Sequence, residues 1–106
     1  MKKLESVEQL NILVKENKPF VIKCFSPNCG PCKALQILID EIRNTLEDTL
    51  KGVQFFSCDV TLNSDLTNYL SVQSVPTTYM VKGGLTESII GLMSKENFLE
   101  KIRKIA

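Results

Sequence analysis

The chain has 106 residues, of which 43% are hydrophobic, and this suits a single domain over residues 1–106 that builds a core without disulfide staples. Its formal net charge of +1 gives no reason to expect nucleic acid or an anionic membrane as a partner. We see no signal-peptide region and no apolar run of membrane-spanning length, so we expect a cytoplasmic protein whose thiols rest reduced. Histidine is absent, which removes the commonest general base and the commonest zinc ligand.

The first half of the chain predicts two helices separated by a strand. A capping box that opens at Ser6, followed by apolar residues at helical spacing, predicts a helix over 7–16. The short apolar run PFVIKCF, residues 19–25, is typical of a buried strand. A long helix is predicted to begin at Pro31 and to end near Gly52. Its apolar positions are Leu35, Leu38, Ile39, Ile42 and Leu46.

The second half predicts three further strands and two helices. VQFFSCDV, residues 53–60, is a strand, and SDLTNYL, residues 64–70, is a short helix. Strands over 77–84 and 85–90 are joined by a Gly-Gly hairpin signal, and Ser94 caps a last helix. Its inward positions are Phe98, Leu99, Ile102 and Ile105. The order αβαβαββα, with room for a short strand at the extreme N-terminus, predicts an α/β fold. Its sheet is parallel first and antiparallel at the end, with four to five strands flanked by four helices.

The stretch CFSPNCGPCKAL, residues 24–35, carries three of the four cysteines. Cys29 and Cys32 stand three residues apart where a strand ends and the long helix begins, so their sulfurs come within bonding reach. Pro31 suits the first helical turn, where its missing N–H costs nothing. Unpaired N–H groups and the positive end of the helix dipole stabilise a thiolate at Cys29, whereas Cys32 lies one turn inside. We therefore expect Cys29 to attack a substrate disulfide and Cys32 to resolve the mixed disulfide.

A zinc site and an iron–sulfur cluster are the alternatives to a redox dithiol. A zinc site usually takes a second C-x-x-C or a histidine pair, and this chain has neither. Cys24, Cys29 and Cys32 stand at the plant-type ferredoxin spacing with Cys58 beyond, so an iron–sulfur cluster is the sharper rival. Against it, Cys24 lies inside an apolar strand, and five residues of extended chain cover about 16 Å.

Cys24 and Cys58 are each expected to be small buried hydrophobes, as free cysteines commonly are. If their two strands are parallel neighbours, both side chains could face the same side of the sheet. A disulfide between them is then the alternative.

The chain resembles the thioredoxin family at two signatures that occur in the family's order. CGPCK, residues 29–33, is that family's active-site sequence, and SVPTTYMVKGG, residues 74–84, looks like its second signature. Gly91 and Leu92 match the loop before the last helix, so the likeness covers essentially the whole chain. The resemblance implies a thioredoxin fold with five strands and four helices, and a dithiol at the edge of a shallow groove.

By the same likeness, a substrate polypeptide lies across this groove, and Pro76 is cis and faces the dithiol. From the residues alone, Pro76 is a plain strand-initiating proline. Val75 precedes it and is pushed to extended geometry, so its N–H and C=O could pair with a substrate strand. The implied substrate-binding residues are Asn28, Gly30, Pro31, Val75, Pro76, Gly91 and Leu92.

The chain departs from the family at positions close to the dithiol. The family usually has Trp before the first cysteine, and Asn28 here leaves the loop more exposed. Lys23 stands where the family has a buried Asp that is thought to help deprotonate the resolving thiol, and Ser57 replaces the lysine that pairs with that Asp. The Lys23 amine either reaches water or lies under the dithiol. Under the dithiol, a charged amine would stabilise a thiolate and make the couple more oxidising, whereas a neutral amine could serve as the base.

We therefore expect a protein disulfide reductase with Cys29, Cys32 and Lys23 at its site and with no bound cofactor or metal. The resemblance implies electrons from a flavin- and NADPH-dependent thioredoxin reductase, disulfide-containing proteins as substrates, and a monomer. The alternative is a binding module with the same fold, or a redox partner dedicated to one pathway. A binding module would keep its function with both active cysteines changed to serine.

Overall fold

The structure is a computed structural model that describes residues 1–45 and 50–106. Its five strands are β1 (Lys2–Lys3), β2 (Phe20–Phe25), β3 (Gln54–Asp59), β4 (Thr77–Lys82) and β5 (Leu85–Ile90). Its helices over the same residues are α1 (Val7–Lys15), α2 (Gly30–Thr45), α3 (Ser64–Tyr69) and α4 (Lys95–Ile105). The predicted order of elements is confirmed, including the short N-terminal strand.

The strands form one mixed sheet in the order β1-β3-β2-β4-β5. β1 and β2 each pair with β3 in parallel, whereas β4 pairs with β2 and β5 in antiparallel fashion. This is the predicted change from parallel to antiparallel pairing, and the fold is the thioredoxin fold. In the described part of the chain, none of the helices combines the length and the apolar character that a membrane span needs.

Alternating residues on the strands point to opposite faces of the sheet and form two buried hydrophobic clusters, one on each face. The first cluster joins the sheet to α2 and α4, and the second joins it to α1 and α3. On β2 the alternation is plain, because Val21 belongs to the first cluster and Ile22 to the second. All four predicted inward residues of α4 pack against the first cluster, with Leu99 only partly buried.

Side-chain caps begin two of the helices where the sequence predicts them. The Ser6 hydroxyl accepts the N–H of Gln9 at 3.1 Å, and the Gln9 side chain in turn accepts the N–H of Glu5 at 3.0 Å. The Ser94 hydroxyl accepts the N–H of Asn97 at 3.2 Å. The two serine hydroxyls each satisfy a backbone donor that the first helical turn leaves unpaired.

The bounds of the long helix differ from the prediction. α2 begins at Gly30 rather than Pro31, so Cys29 lies immediately before the helix. α2 is described as far as Thr45, and residues 51 and 52 form a turn, so the stretch just before the predicted end near Gly52 lies outside the described residues. The predicted apolar position Leu46 lies outside the described residues.

Candidate active site

Cys29 and Cys32 are joined by a disulfide at the start of α2, as their spacing predicts. Their Cα atoms lie 5.2 Å apart, inside the usual range for a disulfide. The backbone N–H of Cys32 donates to Cys29 Sγ at 3.1 Å. Cys32 is 2% exposed and Cys29 is 8% exposed, which is the predicted order of access. A sulfur at Cys29 therefore sits where the unpaired N–H groups of a helix start stabilise negative charge.

Three segments of chain meet at the end of the sheet from which this disulfide emerges. β2 runs towards the disulfide, and its Cys24 pairs with Thr77, the first residue of β4. Thr77 in turn pairs with Ile90, the last residue of β5. Pro76 and Gly91 lie just beyond these two strand ends, and the Gly91 N–H donates to the Pro76 carbonyl at 2.9 Å.

The peptide bond between Val75 and Pro76 is cis, as the resemblance implies and the residues alone did not. Pro76 is buried and Val75 is half-buried. Among the described residues, the N–H and C=O of Val75 have no backbone partner. These two groups are therefore free to pair with an extended peptide.

The other predicted contact residues lie around the disulfide or at this end of the sheet. Asn28, Gly30 and Pro31 are all exposed. Leu92 is 51% exposed, and Ile90 two residues earlier is 74% exposed. Sequence reasoning missed Ile90, although it ends a strand directly beside Gly91. The two exposed side chains make this rim of the site apolar.

Lys23 is buried on the α2 side of the sheet, and its side chain is not exposed to solvent. Its Nζ donates to Gln36 Oε1 at 2.8 Å and lies 4.7 Å from the centre of the Phe25 ring. Burial lowers the pKa of the Lys23 amine, and the negative charge of Asp40 opposes this shift. Gln36 follows Cys32 by four residues, so both lie on the same face of α2.

Gln36 links this amine to two further groups, a role that the sequence analysis did not identify. Its Nε2 donates to Asp40 Oδ1 at 2.9 Å and lies 3.2 Å from the Met1 sulfur. The spacing of Cys32, Gln36 and Asp40, one residue every four, was the available signal for a polar line along α2. The Lys23 amine thus has an amide acceptor and a nearby carboxylate on the helix that carries the dithiol.

The remaining cysteines do not converge on the disulfide. Cys24 and Cys58 are free thiols, and both belong to the cluster on the α1 and α3 side of the sheet. The expectation that each is a buried small side chain is confirmed, since both are 0% exposed. In the residues that the structure describes, no three Cys, Asp or Glu side chains group as metal ligands would.

Comparison with known proteins places this arrangement in a family. The family model described as Thioredoxin matches residues 2–104. The thioredoxin of Rickettsia typhi is 30% identical over 95 residues, covering 89% of this chain and 88% of that protein. Mitochondrial thioredoxin-3 of Saccharomyces cerevisiae is 32% identical over 90 residues, covering 84% of this chain and 68% of that protein. For the chloroplastic M-type thioredoxin of Chlamydomonas reinhardtii the identity is 29%, over 89% of this chain and 66% of that protein.

Solved structures agree with this match. The oxidised form of the yeast mitochondrial thioredoxin 3 superposes with a TM-score of 0.83 at 27% identity, covering 98% of this chain and 94% of that one. Thioredoxin from Fasciola hepatica gives a TM-score of 0.83 at 25% identity, covering 100% of this chain and 100% of that one. Since the family model spans nearly the whole sequence and the cysteine pair stands at disulfide distance, the dithiol is that of a protein disulfide reductase, and the chain belongs to the thioredoxin family.

Proposed function

We propose that the chain reduces protein disulfides with Cys29 as the attacking thiol and Cys32 as the resolving thiol. The Cys29 thiolate attacks one sulfur of a substrate disulfide, and the other substrate sulfur leaves as a thiolate. The Cys32 thiolate then attacks Cys29 Sγ and releases the second substrate thiol. Two electrons pass to the substrate, whose sulfurs take up two protons, and the chain is left with the Cys29–Cys32 disulfide.

One observation supports this assignment of roles. Cys29 Sγ accepts the N–H of Cys32 at 3.1 Å at the first turn of α2, so a thiolate formed there has a donor already in place. Cys32 is more deeply buried and meets an incoming substrate less readily. The more accessible and better stabilised sulfur is the one suited to begin the exchange.

The substrate is proposed to be an extended polypeptide that crosses the end of the sheet. The free N–H and C=O of Val75 suit pairing with such a strand, and Pro76 and Gly91 are bonded to each other beside it. Exposed Leu92 offers apolar contact to the substrate's side chains. Gly30, Pro31 and Asn28 present the other side of the groove, and they lack the large ring that the family usually places before the first cysteine.

Lys23 is proposed to tune the dithiol from beneath α2. Its amine bonds to Gln36, one helical turn from Cys32. A charged amine at this place favours a thiolate over a disulfide and so makes the couple more oxidising. Thioredoxin itself lies at about −270 mV, and we expect this chain within a few tens of millivolts of that value, on the higher side if the Lys23 amine is charged.

The partners and setting are proposed by resemblance. Electrons come from a flavin- and NADPH-dependent thioredoxin reductase, and the chain works as one domain and as a monomer. A compartment that keeps thiols reduced suits this role, and we propose the cytoplasm. Curated relatives include chloroplastic and mitochondrial proteins.

The test is reduction of insulin disulfides by the purified chain with dithiothreitol, compared with Cys29→Ser and Cys32→Ser. We expect the Cys29→Ser variant to lose turnover completely. The Cys32→Ser variant, reduced beforehand and mixed with insulin without dithiothreitol, should instead accumulate a mixed disulfide through Cys29, visible on a non-reducing gel. A mixed disulfide that forms through Cys32 in the Cys29→Ser variant would reverse the two roles. No insulin reduction by the natural chain would leave a binding module, or a redox partner dedicated to one substrate, as the function.

A further inference from the structure

Cys24 and Cys58, here called the buried pair, have no part in the mechanism above. They lie directly opposite each other, because the register of β2 and β3 sets Cys24 against Cys58. Both are free thiols, both are 0% exposed, and both belong to the cluster covered by α1 and α3. Two reduced sulfurs thus face the same side of the sheet on neighbouring strands.

The spacing of neighbouring strands suits a bond between these sulfurs. Adjacent strands lie about 4.8 Å apart, and disulfides join Cα atoms that are about 4.4 to 6.8 Å apart. Residues that are opposite in register point to the same face, so the two Cβ atoms do not diverge.

The two thiols differ in acidity because they interact. A hydrogen bond with Cys58, together with burial, raises the pKa of the Cys24 thiol. The same hydrogen bond lowers the pKa of Cys58, against the effect of its own burial. Cys58 is therefore the sulfur that more readily becomes a thiolate, and Cys24 is the neighbour that holds its proton.

We propose that the buried pair is a second redox site, which closes to a Cys24–Cys58 disulfide when a hydroperoxide oxidises the chain. The Cys58 thiolate attacks one peroxide oxygen, the O–O bond breaks, and Cys58 becomes a sulfenic acid while the other oxygen leaves as water or an alcohol. The Cys24 sulfur then displaces the sulfenic oxygen as water and forms the S–S bond. Two thiols lose two electrons and two protons, and one peroxide is reduced.

This site is separate from the catalytic dithiol. Cys32 lies on α2, which packs on the opposite face of the sheet from the cluster that holds the buried pair. α3, which covers that cluster, has six residues, and no side-chain hydrogen bond caps its start at Asn63. Local opening of such a short helix admits a small oxidant, so closure is expected to be slower than oxidation of Cys29.

The test uses the full chain with both catalytic cysteines replaced, Cys29→Ser and Cys32→Ser, so its outcome does not depend on the proposed reductase activity. The reduced variant is treated with hydrogen peroxide and then denatured in the presence of a maleimide, which alkylates any free thiol. The products are analysed by mass spectrometry. Before treatment both thiols should be alkylated. After treatment we expect neither to be alkylated and the mass to fall by two hydrogens. Trypsin should then yield residues 24–33 joined to residues 52–82, since it cuts after Lys23, Lys33, Lys51 and Lys82.

The matched control adds Cys58→Ala to the same background, with Cys24→Ala as a second version if the first fails to fold. Neither should lose two hydrogens within one chain. The inference is overturned if both thiols of the parent variant survive peroxide, if either sulfur keeps added oxygen, or if the disulfide joins two chains. A separate measurement is insulin reduction by the Cys24→Ala variant of the otherwise natural chain. Unchanged reduction would show that the catalytic dithiol acts independently of the buried pair, whatever the peroxide result.

Discussion

A lysine at position 23 places an amine inside a strand where the residues on either side, Ile22 and Cys24, are apolar. The sequence shows that Lys23 is unusual, because it interrupts the run FVIKCF. It does not show what the amine meets, since Gln36 and Asp40 come from a helix whose rotation about its axis is set by packing. The oddity was predictable from the pattern, whereas its partners required the tertiary structure.

Replacing Lys23 by Met removes the charge and keeps a long apolar stem. We expect the Cys29 thiolate to form about 1 pH unit higher and the dithiol to become more reducing by about 30 mV, because a nearby cation is lost. Thiolate absorbance against pH and redox equilibrium with glutathione measure the two effects. Lys15→Met, an exposed change on α1, is the control. Unchanged values in Lys23→Met would show that the amine does not act on the dithiol.

Lys23 also makes folding stability depend on pH. Burial lowers the pKa of Lys23 in the folded chain below the ordinary 10.5 of the unfolded chain. At a pH between the folded and the unfolded pKa, the unfolded chain therefore holds more protons than the folded one. The folded chain keeps its full stability above pH 10.5, where the Lys23 amine is neutral in both states. Part of that stability is lost as the pH falls through the lowered pKa of the folded chain, because the buried amine must then take up a proton. The free energy of unfolding of the natural chain, minus that of Lys23→Met, should therefore rise with pH in this window. Urea denaturation across the alkaline range measures it, and a flat difference would contradict the burial of the amine.

At the scale of elements, the β4–β5 hairpin shows what a turn signal predicts. The Gly83-Gly84 pair marks the turn in the sequence, and Lys82 does pair with Leu85 across it. The two glycines are nonetheless different. Gly83 has a φ of 58°, and a Cβ there would meet the Asn17 side chain, whereas a Cβ at Gly84 would meet nothing within 4 Å. Asn17 follows α1, and its closeness to the turn is not visible in the local sequence.

Gly83→Ala and Gly84→Ala should therefore differ in their effect on stability. We expect Gly83→Ala to lower the free energy of unfolding by about 1 to 2 kcal/mol, from strain at positive φ and from the displaced Asn17 side chain. Gly84→Ala should change it by less than about 0.5 kcal/mol. Urea denaturation of both variants tests this, and equal losses would mean that the conformation at Gly83 is not what the turn requires.

For the whole molecule, element order and sheet class follow from the alternation of patterns, but the register of distant strands does not. Nothing local sets Cys24 against Cys58 or Thr77, because that register depends on how α2 and the loop to β4 pack. The cis bond before Pro76 likewise came from resemblance and not from the residues. The predicted cysteine pair needed only four consecutive residues, and it is the part of the site that the sequence predicts best.

The two clusters share one sheet, so they are expected to unfold together. Ile102→Ala on the α4 side and Leu10→Ala on the α1 side remove residues that are 0% and 4% exposed. Each should cost about 2 to 5 kcal/mol and leave a single unfolding transition. Far-ultraviolet circular dichroism and tyrosine fluorescence should then give the same midpoint in each variant. Separate midpoints would show that one face of the sheet can melt alone.

The antiparallel direction of β4 has a practical consequence for work on this protein. Thr77 at the start of β4 lies beside Cys24, and Val81 near its end lies beside Phe20. The turn at Gly83 and Gly84 is therefore at the end of the sheet remote from the dithiol, about 17 Å or more along the strands. Gly84 is exposed, with open space at its Cα. It is the place to attach a fluorescent reporter or a surface tether that leaves the route to Cys29 unobstructed.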